Sequence, residues 1–249
     1  MFRLNRTKKL LCCGLVVGDP HIEGFIDSAH AIATAGADVV EWILPLPEAA
    51  YHGRVLQRAA QRALKEPVSL AQTCDAATGF VKEFEVPLVL TTYYARILVH
   101  GHERFASELN RGGFSALMVP DLPIEECEEL RAALAAHGIA LVQSLGQDPT
   151  RREQIAEEAD GFLLWAAHAG GDQVTRLEEI GLGIEALRSK TDLPIFVASH
   201  IQSAEDAHAA WAIADGVMVG SSIVWLIEGK GPDIGERLKD FVSDLANAR

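Results

Sequence analysis

Eight short apolar runs, separated by segments with helical spacing, recur along the whole chain. They are Leu10 to Val17, Val39 to Ile43, Leu88 to Thr91, Ala116 to Val119, Ala140 to Gln143, Phe162 to Trp165, Ile195 to Ala198 and Val217 to Val219. None shows the polar and apolar alternation of a half-exposed strand, so each reads as a strand buried on both faces, the mark of a parallel sheet covered by helices. Between them, Glu23 to Ala35, Arg54 to Lys65, Leu70 to Glu83, Glu103 to Asn110, Glu125 to His137, Arg151 to Glu157, Ile184 to Ser189 and Ala204 to Ala212 space their apolar residues as helices do, and Asp233 to Asn247 closes the chain. This alternation predicts an α/β protein built as a closed (βα)8, or TIM, barrel with right-handed crossovers. The alternative, an open doubly wound sheet, usually shows an early glycine-rich dinucleotide loop, and Gly14-Leu-Val-Val-Gly-Asp-Pro20 is not one. With no low-complexity tract and no interdomain linker, residues 1–249 are expected to form one domain.

Composition narrows the partners. A formal charge of −13 argues against wrapping nucleic acid or lying on an anionic membrane, where a basic face supplies the affinity. No apolar run reaches the roughly 18 residues of a spanning helix. The basic lead Met1 to Lys9 is followed by an apolar run too short for a signal peptide and ending in Gly-Asp-Pro, so a buried strand and a cytoplasmic protein are expected. Cys12, Cys13, Cys74 and Cys127 lack the paired spacing of a zinc site, and the adjacent pair must point to opposite faces of a strand. They read as reduced, buried cysteines. The histidines show no metal-ligand spacing with acidic partners. Neither a metal nor a cofactor is expected.

In such a barrel the active site lies at the C-terminal ends of the strands. Those ends carry Asp19, Glu41, Tyr93, Asp121, Ser144, residues 167–172, Ser199 with His200, and Gly220 to Ser222. Gly220-Ser-Ser222 follows a buried run and opens a short helix, so its free backbone N–H groups suit a phosphate; a simple serine N-cap is the plainer reading. Glu41 lies in an apolar strand, where desolvation raises a carboxyl toward the range useful for proton transfer, unless it is a strand-end carboxylate bonded to nearby backbone. Tyr93 and Tyr94 alternate, so at most one reaches the interior. Asp19 and Asp121 each precede a proline-marked turn and read as structural, capping the next helix or orienting loops.

Read in order, Gly18-Asp-Pro20, Gly36-Ala-Asp-Val-Val-Glu41, Pro45, Gly53 with Gln57, Arg62-Ala-Leu64, Pro87-Leu-Val-Leu-Thr-Thr-Tyr-Tyr94, Gly101 with Phe105, Val119-Pro-Asp-Leu-Pro-Ile-Glu-Glu126, Ala159-Asp-Gly-Phe162 and Asp215-Gly-Val-Met-Val-Gly-Ser-Ser-Ile-Val224 resemble the tryptophan synthase alpha chain family over nearly the whole chain. The resemblance implies a barrel that cleaves indole-3-glycerol phosphate to indole and glyceraldehyde 3-phosphate and passes indole to a separate pyridoxal-phosphate beta chain. It implies Glu41 as acid and base, Tyr93 lining the substrate site, and Gly220 with Ser221 holding phosphate, joined by Gly170 and by Ser199 and His200.

The departures from the family gather at the chemistry. Trp42-Ile-Leu-Pro-Leu-Pro-Glu-Ala-Ala-Tyr-His-Gly-Arg54 places His52 where the family carries an aspartate that contacts the indole nitrogen, and Arg54 where it carries a proline. Ala167-His-Ala-Gly-Gly-Asp-Gln173 keeps Gly170 but puts Asp172 at the family's lid threonine. A family tyrosine falls on Leu164, and Gly-Phe-Gly-Ile becomes Ala198-Ser-His-Ile201. The lead before the first strand is shorter than the family's, so its first helix is expected to be truncated or lost. Glu48 and Asp172 are candidate substitutes for the missing carboxylate. Three readings follow: a lyase, intact or impaired; a non-catalytic alpha-like subunit regulating a beta chain; or a barrel retuned to another phosphorylated molecule.

Overall fold

The computed structural model describes residues 2, 4–47, 53–146, 148–166, 173–198, 201–229, 231 and 233–249. Eight strands, β1 (Leu10–Val16), β2 (Val39–Ile43), β3 (Leu88–Thr91), β4 (Ala116–Met118), β5 (Ala140–Ser144), β6 (Leu163–Ala166), β7 (Ile195–Ala198) and β8 (Gly216–Val219), pair in parallel in chain order, and β8 returns to β1 to close the barrel. Their side chains alternate between two apolar compartments, which explains the unbroken apolar runs. Leu10, Cys12, Val39, Val89, Met118, Leu164 and Met218 fill the barrel interior. Cys13, Val40, Trp42, Leu90 and Val197 face the helices. The two adjacent cysteines therefore divide between inside and outside, and all four thiols are free and buried.

Around the strands lie α1 (Ile22–Thr34), α2 (Arg54–Ala63), α3 (Leu70–Glu83), α4 (Tyr94–His100), α5 (His102–Gly112), α6 (Glu128–Ala136), α7 (Pro149–Glu158), α8 (Gln173–Leu187), α9 (Ala204–Ile213), α10 (Ser221–Glu228) and α11 (Ile234–Asn247). Local chemistry starts several of them. Ser69 and Ser203 form capping boxes with Gln72 and Asp206, and the Asp148 carboxylate accepts the Thr150 N–H. Among the described residues no helix precedes β1; Phe2 and Leu4 pack against the interior cluster instead. No helix among them is long and apolar enough to cross a membrane.

Two helices depart from the sequence pattern. The spacing marks Ile184 to Ser189, yet α8 begins at Gln173. Gly181 and Gly183 depress its helical signal, and packing accounts for both. A Cβ on Gly183 would overlap the Trp165 ring, and one on Gly181 would lie 3.1 Å from Ile213. The short α4 escapes the pattern because it does not bury one clean face: Leu98 and Val99 are exposed, Val99 to 86%. The segment read as one helix from Glu125 is a 3-10 turn, Ile124–Glu126, followed by α6.

Inside the barrel, the Phe162 and Phe196 rings meet at a tilt of 49° with centroids 4.7 Å apart, and Gly216 lies against the Phe196 ring, which a Cβ would overlap. Gly216→Ala is therefore expected to lower the unfolding free energy by about 1–3 kcal/mol, the usual cost of overpacking. Urea unfolding measures it, and Phe196→Leu in the same chain should recover part of the loss.

Candidate active site

Glu41 is placed by strand parity. Val39 points into the barrel, so Glu41, two residues on, does the same, with Trp42 turned outward between Phe25, Phe80 and Phe114. The residue is in mid-strand rather than at the strand's end, and only 4% exposed. The Thr91 hydroxyl, from β3, donates to Glu41 Oε1 at 2.5 Å. Burial pushes the carboxyl up to about 7 from its ordinary 4.5, and the Thr91 bond only partly offsets this. No charged side chain among the described residues shifts it. Its ionisable neighbour is the Cys12 thiol, itself held well above its ordinary range by burial and by Glu41.

On its other side the carboxylate borders β1 and β8. Glu41 pairs in register with Gly14, and Cys13 pairs with Val219, so one step further along the strands sets Gly220 beside Gly14. Gly220 is the N-cap of α10, and no side chain caps that helix. The serine-cap reading is thus corrected: Ser222 Oγ donates to Ile201 O at 2.5 Å, and Ser221 is exposed. The first-turn N–H groups of α10 have no acceptor within the helix and open toward the mouth, the arrangement that accepts a phosphate.

Tyr93, just past β3, is buried, whereas Tyr94 turns outward and its hydroxyl meets His102 Nε2 at 3.0 Å. Asp121, past β4, accepts the Tyr94 N–H at 2.9 Å and so joins the ends of β3 and β4. Asp19 does not cap α1; His21 Nδ1 does, accepting the Gly24 N–H. Asp19 instead accepts two bonds from Arg62 at 2.8 Å, and Arg62 also reaches Glu228, which Arg58 grips with two more. This network ties α2 and α10 to the end of β1. Leu164 is buried in the interior cluster. His52, Gly170, Ser199 and His200, together with Glu48, His168 and Asp172, lie outside the described residues.

Two residues beside Glu41 were not singled out from the sequence. Thr91 was detectable through parity with inward Val89, and Gly14 as a glycine inside a strand, which often marks a close approach of another group. Among the described residues no group of three or more His, Cys, Asp or Glu side chains is placed to hold a metal ion.

The family model described as tryptophan synthase alpha chain matches residues 3–247. The chain is similar to the tryptophan synthase alpha chain of Chromobacterium violaceum, 34% identical over 97% of this chain and 94% of that one. The alpha chain of Methanosarcina mazei is also 34% identical, over 97% and 90%. Among solved structures, tryptophan synthase subunit alpha from Legionella pneumophila superposes with a TM-score of 0.88 at 26% identity, covering 97% of this chain and 92% of that chain.

The Glu41 shift has a measurable sign. Unfolded, the carboxyl titrates near 4.5; folded, near 7. Between these values the folded state keeps a proton that the unfolded state has released, so this contribution to stability is complete below the window and lost as pH rises through it. Glu41→Gln, which can still accept from Thr91, should therefore be more stable than the parent above pH 7 by about 3 kcal/mol, and the difference should vanish as pH falls to 4.5. Denaturant unfolding of both proteins across the window checks it.

Proposed function

The chain belongs to the tryptophan synthase alpha chain family, and from that premise we propose that it cleaves indole-3-glycerol phosphate to indole and glyceraldehyde 3-phosphate, with Glu41 moving the protons. The observation that carries the assignment of roles is a buried carboxyl with no cation beside it among the described residues, one oxygen held by Thr91, next to a helix N-terminus that no side chain caps. The reaction breaks the carbon–carbon bond between the indole ring and the glycerol chain. It needs a proton delivered to the ring carbon and a proton removed from the glycerol hydroxyl whose oxygen becomes the aldehyde. A carboxyl near 7 is populated in both forms at neutral pH and so can serve either step. The turn Gly220–Ser221 anchors the phosphate through backbone N–H groups, which fixes the glycerol chain against Glu41. Tyr93 lines the pocket on the β3 side, and the family resemblance assigns Gly170, Ser199 and His200 to the same phosphate.

The third requirement is an acceptor for the ring N–H as positive charge develops. At the family's aspartate position the sequence carries His52. A neutral imidazole accepts that hydrogen bond without a full negative charge, and a protonated one opposes the charge. The proposal is therefore a lyase with a lowered rate, a single-domain cytoplasmic protein working without a cofactor of its own and docking on a beta chain that receives the indole.

Indole release from indole-3-glycerol phosphate, by the purified chain alone and with a beta chain, tests this. Glu41→Gln should reduce turnover by at least about 100-fold, the scale of a lost acid–base group. His52→Asp should raise it by at least about tenfold, since a fixed charge facing a developing one supplies upward of a kcal/mol in a dry site. Absence of indole under every condition sinks the lyase assignment; stimulation of the beta chain without turnover would then point to a regulatory subunit.

A further inference from the structure

Three neighbouring strands carry, at one level of the barrel, a carboxylate and two glycines: Glu41 on β2, Gly14 on β1 and Gly220 directly after β8. The interior positions before Gly14 on the same strand, Leu10 and Cys12, both carry side chains that fill the barrel. A glycine inside a strand loses packing and costs chain entropy, so its presence here calls for a steric reason. That reason is the carboxylate. A Cβ on Gly14 would stand 2.6 Å from Glu41 Oε2 and 3.6 Å from Gly220 Cα. The first distance lies well inside van der Waals contact, so any side chain at 14 and the present rotamer of Glu41 exclude each other. The second shows that the gap over Gly14 opens onto the turn that begins α10.

We propose that Gly14 is a positioning residue for Glu41: the missing side chain lets the carboxyl lie back over β1, with Oε1 on Thr91 and Oε2 turned to the Gly220 turn. This rests on the reading of Glu41 as the proton-transfer group. The two oxygens then have separate tasks. Oε1 is engaged by the β3 hydroxyl, and Oε2, which has no hydrogen-bond donor among the described residues, is the oxygen left to exchange a proton with a ligand. Because that oxygen faces the phosphate turn across one glycine, a bound phosphate ester lies close to it. The like charge favours the protonated carboxyl until the leaving chain moves. With a methyl at position 14 the Glu41 carboxyl must shift, and the direction expected is off Thr91 toward the mouth and water.

The experiment is a double-mutant cycle with a titration. Gly14→Ala, Glu41→Ala and the double variant are unfolded in urea at constant pH, and the Glu41 carboxyl is followed by carbon-13 NMR in the parent and in Gly14→Ala. The expected result is a lowered urea midpoint for Gly14→Ala that is restored when Glu41 is also alanine, and a Glu41 titration midpoint that falls from about 7 toward 4.5. In the indole-release assay the pH–activity profile of Gly14→Ala should move with that midpoint. Equal destabilisation by Gly14→Ala in both backgrounds, with an unmoved titration, overturns the proposal whatever the activity. If no variant releases indole but the cycle couples and the titration moves, the lyase reading fails while the positioning of the carboxyl stands.

Discussion

Closure of the sheet through the pairing of β8 with β1 is the constraint on which the site depends. Before closure, Glu41 and Gly220 belong to opposite ends of the chain. The ladder Leu10↔Gly216 to Cys13↔Val219 brings β8 against one edge of β1, and Cys12↔Val39 to Val16↔Ile43 brings β2 against the other. Register then does the rest, since residue spacing along parallel strands is fixed and interior positions recur at every second residue. A slip of one residue in the β1–β2 ladder would turn Glu41 into the layer beneath the helices, among Phe25 and Phe80, and a slip in the β1–β8 ladder would carry Gly220 away from Gly14. The interior side chains that make the barrel stable are therefore the same ones that hold its chemistry in place.

Two acids deep in this fold show opposite solutions to the cost of burying a charge. Asp19, 1% exposed, is matched by the Arg62 guanidinium in a two-bond pair, and Arg62 is itself stabilised in its charged form by that pair. Burial pushes Asp19 upward while the guanidinium pulls it back, and the result is a structural clamp that fastens α2 and α10 to the barrel. Among the described residues Glu41 has a hydroxyl and no cation, so desolvation prevails and the group keeps its proton to about neutrality. A paired carboxylate holds parts together; an unpaired one is poised to exchange a proton. Both outcomes are set by immediate surroundings, burial and the nearest hydrogen-bond partner, rather than by the overall charge of −13.

Most of the architecture was legible because doubly buried strands leave unbroken apolar runs, and all eight runs became strands with ends displaced by at most one residue. The parts that were not legible have identifiable causes. Gly181 and Gly183 weaken a helical pattern yet serve close packing in α8, so that helix reads as less than half its length. The aspartate before Pro20 has the look of a cap, but a long-range arginine competes for it and a histidine takes the capping role. At the site, Glu41 is visible as a carboxylate within an apolar run and the Gly220 turn as a glycine and two serines directly after one. Thr91 and Gly14 are not, because their importance comes from which neighbour the ladder sets beside them, a property of the closed sheet rather than of any local stretch.

The division between strands and loops also bears on how this chain relates to its family. Glu41, Thr91, Gly14 and the Gly220 turn stand on or directly after strands, where hydrogen-bonded ladders fix them whatever the loops do. The departures, by contrast, fall in the segments after β2, β6 and β7: His52 for an aspartate, Asp172 for a threonine, and Ser199-His200 in place of a glycine-containing turn. Loops of this kind change without cost to the barrel, so likeness of fold is insensitive to them. In the proposed lyase the strand-borne pair would supply proton transfer and an anchor for phosphate, and the acceptor for the ring nitrogen would come from the segment that carries His52. Selection acting on those segments alone could thus lower the rate of the proposed cleavage, or alter which ring is accepted, while leaving the carboxyl and the Gly220 turn on either side of Gly14.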